Sequence, residues 1–131
     1  MSTLDASLLL AHFNSNDSHH ANATDFLAAH VDEDHFINPL NLAEVLVGPA
    51  RAGTLEQVRQ AVAALGVVEQ PFPVDAATEL AELQARTTLK MPDCCVLLTA
   101  RQTGTPVASF DGRLRRDAQG LGLAVVPNHA P

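Results

Sequence analysis

Short apolar segments alternate with longer segments of helical period along the whole chain, and this alternation is the strongest constraint on its fold. No two-residue hairpin turn joins the apolar segments, so they are expected to pair in parallel through right-handed crossovers. The predicted fold is a single α/β domain over residues 1–131, a three-layer α/β/α sandwich with a central parallel sheet of about five strands. The predicted strands are TLD (3–5), HFINP (35–39), VVEQPF (67–72), PVASF (106–110) and LAVVP (123–127).

Apolar or small residues recur at three- and four-residue steps between these strands, as expected of helices packed on a sheet. Asp17 or Ser18 is predicted to cap the second helix and Thr54 the fourth, while Pro92 and Gly104 mark the limits of the sixth. The predicted helices are ASLLLAHF (6–13), DSHHANATDFLAAHV (17–31), LNLAEVLVGPARAG (40–53), TLEQVRQAVAALG (54–66), VDAATELAELQARTTL (74–89), MPDCCVLLTARQTG (91–104) and GRLRRDAQGLG (112–122).

Composition limits the class of protein. The 131 residues are 47% hydrophobic, which is enough to bury a core. No stretch approaches the roughly 18 apolar residues of a membrane span, and the N-terminus lacks the pattern of a signal peptide, so a cytoplasmic protein without membrane contact is expected. The adjacent Cys94 and Cys95 lie in an apolar segment and are predicted to be reduced core thiols.

Charge and aromatic content limit the ways in which this chain could bind nucleic acid. The net charge is -7, and phosphate binding normally depends on Lys and Arg. The chain has no Trp or Tyr, so an extended stacking platform for bases is excluded. Three of the few basic residues, Arg113, Arg115 and Arg116, fall in one short stretch. Any contact with an RNA backbone would therefore rest on local arginines.

Two carboxylates lie where predicted strands end, and two interrupt apolar helical segments. Asp5 ends the first strand and Asp111 directly follows the fourth, at the edge where parallel sheets bind ligands. Glu44 and Asp93 lie within apolar helical sequence. Each has a structural alternative: Asp5 as a helix N-cap, Asp93 as a charge favoured by the helix dipole, and Glu44 as a solvent-facing residue.

Four such acids at one sheet edge would repel one another unless a cation neutralised them. Oxygen-only ligands suit Mg²⁺ or Mn²⁺ rather than Zn²⁺. The pattern therefore predicts a hard-cation site of the kind used in phosphoryl-transfer chemistry.

Four sequence signatures occur in an order that resembles the PIN-domain ribonucleases, and among them the VapC toxins of bacterial type II toxin–antitoxin pairs. They are LDAS, NLAE followed by VLVGPARAG, MPDCCVLLTA, and ASFDGRLRR followed by GLGLAVVP. The match covers nearly the whole chain. It departs from the family pattern where LPDA is replaced by MPDC, a change between apolar residues that leaves the acid in place.

The resemblance implies a Mg²⁺-dependent endoribonuclease toxin, with Mn²⁺ able to substitute, that cleaves structured RNA such as tRNA or rRNA loops by metal-activated water. Ser7 and Ser109 match hydroxyl residues that support the ligating carboxylates. Arg86 matches a basic residue of the family that meets substrate or braces the site, although a helix-surface role is equally open. The implied catalytic and metal-binding acids are Asp5, Glu44, Asp93 and Asp111, and the arginines expected to attract RNA are Arg113, Arg115 and Arg116. Asp117 is expected to form a surface ion pair.

The resemblance also implies protein partners. One is a VapB-like antitoxin whose C-terminal arm brings an arginine to the acids, and another is a second copy of the chain, giving a homodimer and a heterotetramer or larger assembly with antitoxin. The dimer is expected to form through helices near residues 40–65, with Leu55, Val58, Val62 and Leu65 shared between core and interface.

The main alternative is a PIN fold that binds RNA or a protein partner without turnover. A receiver-type signalling domain is disfavoured, because it needs a lysine after a late strand and Lys90 is the only lysine. His19 and His20 point about 100° apart on a helix, so they are not expected to chelate one ion.

Overall fold

The computed structural model describes residues 1–128 and contains a five-stranded sheet in which every neighbouring pair is parallel. The strand order is β3-β2-β1-β4-β5, with β1 at the centre. The strands are β1 (Ser2–Leu4), β2 (His35–Ile37), β3 (Val67–Glu69), β4 (Val107–Ala108) and β5 (Val125–Val126). The predicted α/β/α sandwich is confirmed.

Seven helices connect these strands among the described residues. They are α1 (Ala6–Phe13), α2 (His20–Ala29), α3 (Pro39–Ala52), α4 (Leu55–Ala64), α5 (Ala76–Arg86), α6 (Met91–Thr103) and α7 (Gly112–Gly120). Each corresponds to one predicted helix.

The predicted ends are less accurate than the predicted elements. Pro39 begins α3 instead of ending β2, because its fixed φ and missing N–H suit the first turn of a helix. The predicted cap of α2 is wrong: the helix starts at His20, with His19 in the capping position and no side-chain cap bond. Asp17 accepts a hydrogen bond from the His19 N–H instead (2.8 Å), so it stabilises the turn that precedes the helix.

The core is divided into two clusters. One joins β1 and β2 to the first four helices, and the other joins β4 and β5 to the last three. α6 is the most deeply buried helix, with every residue from 94 to 100 buried. A helix that is buried on all sides must be apolar all round, which explains why its sequence shows little amphipathic pattern.

The chain order places a topological switch point beside β1. β2 and β3 extend the sheet on one side of β1, and the chain then returns to add β4 and β5 on the other side. The carboxyl ends of β1 and β4 are therefore neighbours from which α1 and α7 diverge, and a crevice forms there.

Within residues 1–128, no helix is both long enough and apolar enough to cross a membrane.

Candidate active site

The four carboxylates singled out in the sequence line one pocket at the carboxyl edge of the sheet. Asp5 follows β1 directly, and Asp111 follows β4 after two residues. Glu44 lies in the second turn of α3 and Asp93 in the first turn of α6. The pocket has a volume of about 180 Å³. Its lining adds Ala6, Ser7, Leu10, Asn41 and Pro92 to the four acids.

Asp5 caps α1 and also lines the acidic pocket. Its Oδ1 accepts a hydrogen bond from the Leu8 N–H (3.0 Å), so it is the N-cap of α1. Its Oδ2 accepts hydrogen bonds from the hydroxyls of Ser7 (2.7 Å) and Ser109 (2.6 Å). Burial raises the pKa of Asp5, although these three hydrogen bonds oppose the shift. The cap fixes the direction in which the carboxylate faces the pocket.

Ser109 connects two of the acids. Its side chain is fully buried, donates to Asp5, and accepts a hydrogen bond from the Asp111 N–H (3.0 Å). Asp111 is exposed and caps α7 through the Leu114 N–H (3.0 Å). One buried hydroxyl therefore sets the spacing between the first and last acid of the site.

Two asparagines that the sequence reasoning missed hold the pocket together. Asn41 is 2% exposed, and its Oδ1 accepts from the Ala6 N–H (2.8 Å) while its Nδ2 donates to the Pro92 carbonyl (2.9 Å). Asn38 caps α3 by accepting from the Asn41 N–H (2.9 Å). The available signal was the Asn38-Pro39 pair, which marks a helix start, but the bridge made by Asn41 depends on contacts distant in sequence.

The electrostatics of the pocket are dominated by repulsion among its acids. The pKa of Asp93 is raised to about 6, first by burial and then by the charges of Asp111, Asp5 and Glu44, with Lys90 opposing them. Such a shift means that the ionised site is unfavourable unless a positive charge is supplied.

The donor set fits a hydrated hard cation. The pocket offers carboxylate oxygens, with no thiol or imidazole among its lining residues. Among residues 1–128, no three side chains of Asp, Glu, His or Cys are close enough together to form a ready-made metal cage. Mg²⁺ does not require such a cage, since it keeps several waters and is usually held by one or two carboxylates.

The arginines that the sequence suggested for RNA binding differ in their exposure to solvent. Arg86 is exposed at the end of α5, and Arg113 and Arg116 are exposed on α7. Arg115 requires a correction, because its side chain is 8% exposed and cannot meet RNA. Its guanidinium donates to the carbonyls of Ser109 (2.9 Å) and of residue 127 (2.6 Å), so it supports the loop that carries the site.

The expected ion pair of Asp117 is also wrong. No cation of residues 1–128 lies within 4.0 Å of its carboxylate. Asp117 accepts weak hydrogen bonds from Thr88, at 3.3 and 3.4 Å, and it does not line the acidic pocket. Among residues 1–128, the arginines of α7 form no ion pair with Asp117, although they are close to it in the sequence.

Comparison with known proteins identifies the family. The model of the PIN domain family matches residues 3–119. The chain belongs to the PIN domain family. No curated protein matches it in sequence.

Solved structures share this PIN fold at low sequence identity. A toxin-antitoxin complex from Klebsiella pneumoniae superimposes with a TM-score of 0.77 at 21% identity, covering 100% of both chains. VapC20 of Mycobacterium tuberculosis, described as a sarcin-ricin loop cleaving toxin, gives 0.73 at 20% identity, again over 100% of both chains. FitAcB from Neisseria gonorrhoeae gives 0.74 at 19% identity, over 95% of this chain and 96% of that one.

Proposed function

We propose that this PIN-domain protein is a Mg²⁺-dependent endoribonuclease of the VapC type, the toxin of a toxin–antitoxin pair. The observation that carries the proposal is the convergence of Asp5, Glu44, Asp93 and Asp111 on one pocket at the switch point of the sheet. A structural role does not explain why four acids from four separate elements meet where their charges repel.

The chain's own residues prepare the pocket for a cation and a phosphodiester. Asp5 is oriented by three hydrogen bonds, and Ser109 links it to Asp111, so these two carboxylates are preorganised. Asp93 reaches the pocket from α6 and Glu44 from α3, and both would complete the set of metal ligands. When bound, Mg²⁺ supplies positive charge to phosphate oxygens and lowers the pKa of the water that it coordinates.

RNA is the substrate that the site and the comparisons favour. Arg113 and Arg116 are exposed within five residues of Asp111, where they can attract the flanking phosphates. VapC20, with the same fold, is described as a sarcin-ricin loop cleaving toxin. We therefore propose structured RNA, in the form of tRNA or rRNA loops, since single-stranded loops leave their bases open to a protein surface.

The test is cleavage of bulk tRNA and rRNA by antitoxin-free protein with Mg²⁺, with Mn²⁺ and with EDTA. We expect cutting with either cation and none with EDTA. Asp93→Asn should lose the activity, while the matched control Asp25→Asn, on an exposed part of α2, should keep it. Unchanged cutting by Asp93→Asn contradicts the assignment. RNA binding without any cleavage favours a catalytically silent binding module instead.

A VapB-like antitoxin is the proposed protein partner. The same fold occurs in a toxin-antitoxin complex from Klebsiella pneumoniae and in FitAB bound to a DNA fragment. The acidic pocket of this chain suits an arginine, whose guanidinium would form charge-assisted hydrogen bonds with the carboxylates. Coexpression with a VapB-like chain should yield a stable complex without nuclease activity, and substitution of the antitoxin's C-terminal arginines should restore cleavage.

A homodimer through α3 and α4 is proposed as well. Val47 is 45% exposed and Leu55 is 38% exposed on these helices, whereas Val62 is 5% exposed and belongs to the core of the monomer. Sedimentation at micromolar concentration should report a dimer, and Leu55→Glu should shift it toward monomer. Wild-type protein that sediments only as a monomer would contradict the proposal.

A further inference from the structure

A second cleft adjoins the acidic pocket and shares two of its residues. It has a volume of about 160 Å³ and is lined by Ser7, Asp17, His19, Phe110 and Asp111. Ser7 and Asp111 also line the acidic pocket, so the two spaces are adjacent. A group in this cleft would lie next to a phosphodiester held at the acids.

One side of the cleft is aromatic. The rings of His19 and Phe110 are stacked, with centroids 5.4 Å apart and planes 7° apart. Phe110 is partly buried against the core, so it backs the imidazole and keeps its plane in place. His19 Nδ1 is withdrawn from solvent and has no hydrogen-bond partner among residues 1–128. The position of this ring therefore depends on stacking, and no hydrogen bond to Nδ1 fixes its rotation.

The side-chain oxygen atoms of the cleft, from Ser7, Asp17 and Asp111, act as hydrogen-bond acceptors. The Ser7 hydroxyl already donates to Asp5 (2.7 Å). Asp17 uses Oδ1 to accept from the His19 N–H (2.8 Å), and no donor of residues 1–128 reaches its Oδ2. Asp111 uses Oδ1 to accept from the Leu114 N–H (3.0 Å). A ligand that matches this cleft has a flat face for stacking and N–H groups at its edge.

We propose that the cleft binds the RNA base next to the cleaved phosphate and selects bases that carry an exocyclic amino group. The inference rests on the proposed function and adds a specificity site to it. The base stacks beside the His19–Phe110 pair, as unpaired RNA bases do on aromatic and histidine side chains. Its amino group donates to Asp17, as the amino group of cytosine donates to acidic side chains in nucleic-acid recognition. Uracil presents a carbonyl there and is disfavoured.

Asp17→Asn tests the selection directly. The asparagine can keep the bond to the His19 N–H through Oδ1 and place an amide N–H₂ where the free acceptor stood. Mapping the ends produced from a randomised RNA library should show that the wild type avoids uracil at one position beside the cut. The Asp17→Asn substitution should move that preference toward uracil by about tenfold, and Asp25→Asn should leave it unchanged. Identical base frequencies in wild type and Asp17→Asn would overturn the proposal.

His19→Ala tests the aromatic wall. The KM for RNA cut after the preferred base should rise about tenfold, with kcat changed far less, because stacking holds the base before and during cleavage alike. His30→Ala, at the opposite edge of the sheet, is the matched control. A loss confined to kcat would contradict a binding role.

A binding measurement separates failure of this cleft from failure of the nuclease. CMP and UMP are titrated into the EDTA-treated protein while the ring NMR signals of His19 and Phe110 are followed. Larger shifts with CMP than with UMP in the wild type, with the Phe110 shifts lost in His19→Ala, support the base site even if no RNA is cleaved, in which case only the nuclease proposal falls. Cleavage accompanied by equal or absent shifts overturns the base site alone.

Discussion

Carboxylates at the two ends of the parallel strands have opposite electrostatic surroundings. The amino edge of the sheet is the side where the strands begin, and the carboxyl edge is the side where they end. At the amino edge, Glu33 precedes β2 and is paired with the Met1 ammonium and with His30 Nδ1 (2.5 Å). These two partners lower the pKa of Glu33 to about 2. At the carboxyl edge, burial and neighbouring acids raise the pKa of Asp93 to about 6. The first carboxylate is paired with positive charges of the same chain, whereas the second is buried among like charges that only Lys90 opposes.

The surroundings of the two edges agree with this interpretation. Near Glu33, the ring Nδ1 of the buried His35 shares a hydrogen bond with the Ser2 hydroxyl (2.8 Å). The backbone N–H of His35 donates to the Gly66 carbonyl (2.8 Å). These contacts tie β1, β2 and β3 together. Near Asp93, the hydrogen bonds instead orient carboxylates toward an open pocket. We therefore expect substitutions at the amino edge to affect stability and those at the carboxyl edge to affect cleavage.

The largest expected difference is in RNA cleavage by Asp93→Asn and Glu33→Gln. Removing a charge that would hold the cation should lower the cleavage rate by about 100-fold or more. Glu33→Gln removes a carboxylate that is already paired on the far edge and should leave the rate within about twofold of wild type. Rates are compared per mole of folded protein, as judged by circular dichroism. Equal losses in the two variants would break the comparison.

Ser109→Ala sharpens the comparison within the carboxyl edge. Losing the hydroxyl that connects Asp5 to Asp111 should reduce Mn²⁺ affinity and activity by about 10- to 100-fold, as for other residues that orient metal ligands. Mn²⁺ titration by calorimetry measures the affinity without relying on cleavage. Ser15→Ala, in an exposed turn, is the control and should behave as wild type.

Gly66→Ala probes the amino edge. Gly66 has φ +78°, and an added Cβ would lie 2.8 Å from the Glu33 carbonyl oxygen. The change should lower the free energy of unfolding by about 2 kcal/mol, with little effect on cleavage by the folded protein. Gly53→Ala shares the positive φ (+76°) but faces open space, so its cost should be smaller, about 1 kcal/mol. Urea unfolding of both variants gives the values, and equal costs would exclude the predicted clash.

The smallest effect is the pH dependence of stability in EDTA. A raised pKa means that the folded state binds the Asp93 proton more tightly than the unfolded state does, so ionised Asp93 destabilises the fold above about pH 6. Asp93→Asn should therefore be more stable than wild type at pH 7.5, by on the order of 1 kcal/mol, because solvent screens this partly exposed carboxylate and reduces the effect of the pKa shift. This advantage should shrink as the pH falls below about 6 and disappear below 3.8, where the wild-type residue is protonated in both the folded and the unfolded state. A difference that is constant from pH 4 to 7.5 would contradict the shift.

Much of the fold could be predicted because its signals are local. Strand–helix alternation and Pro or Gly at helix ends predicted every described element, and Asp5 and Asp111 were placed after β1 and β4 by the same pattern. Element ends were less predictable, as at Pro39, because a proline after a strand suits either the end of the strand or the start of the next helix.

The sequence by itself determined which acids to consider, since their positions relative to predicted strands and apolar segments are properties of short stretches. Only the tertiary structure decided how they are held: Asn41 bridges α1 and α6, Ser109 links the Asp5 carboxylate to the Asp111 backbone N–H, and Arg115 turns inward to backbone carbonyls. The stacking of His19 on Phe110 likewise pairs residues 91 positions apart. Such contacts depend on the direction of each side chain once the layers have packed, and no local pattern contains that direction.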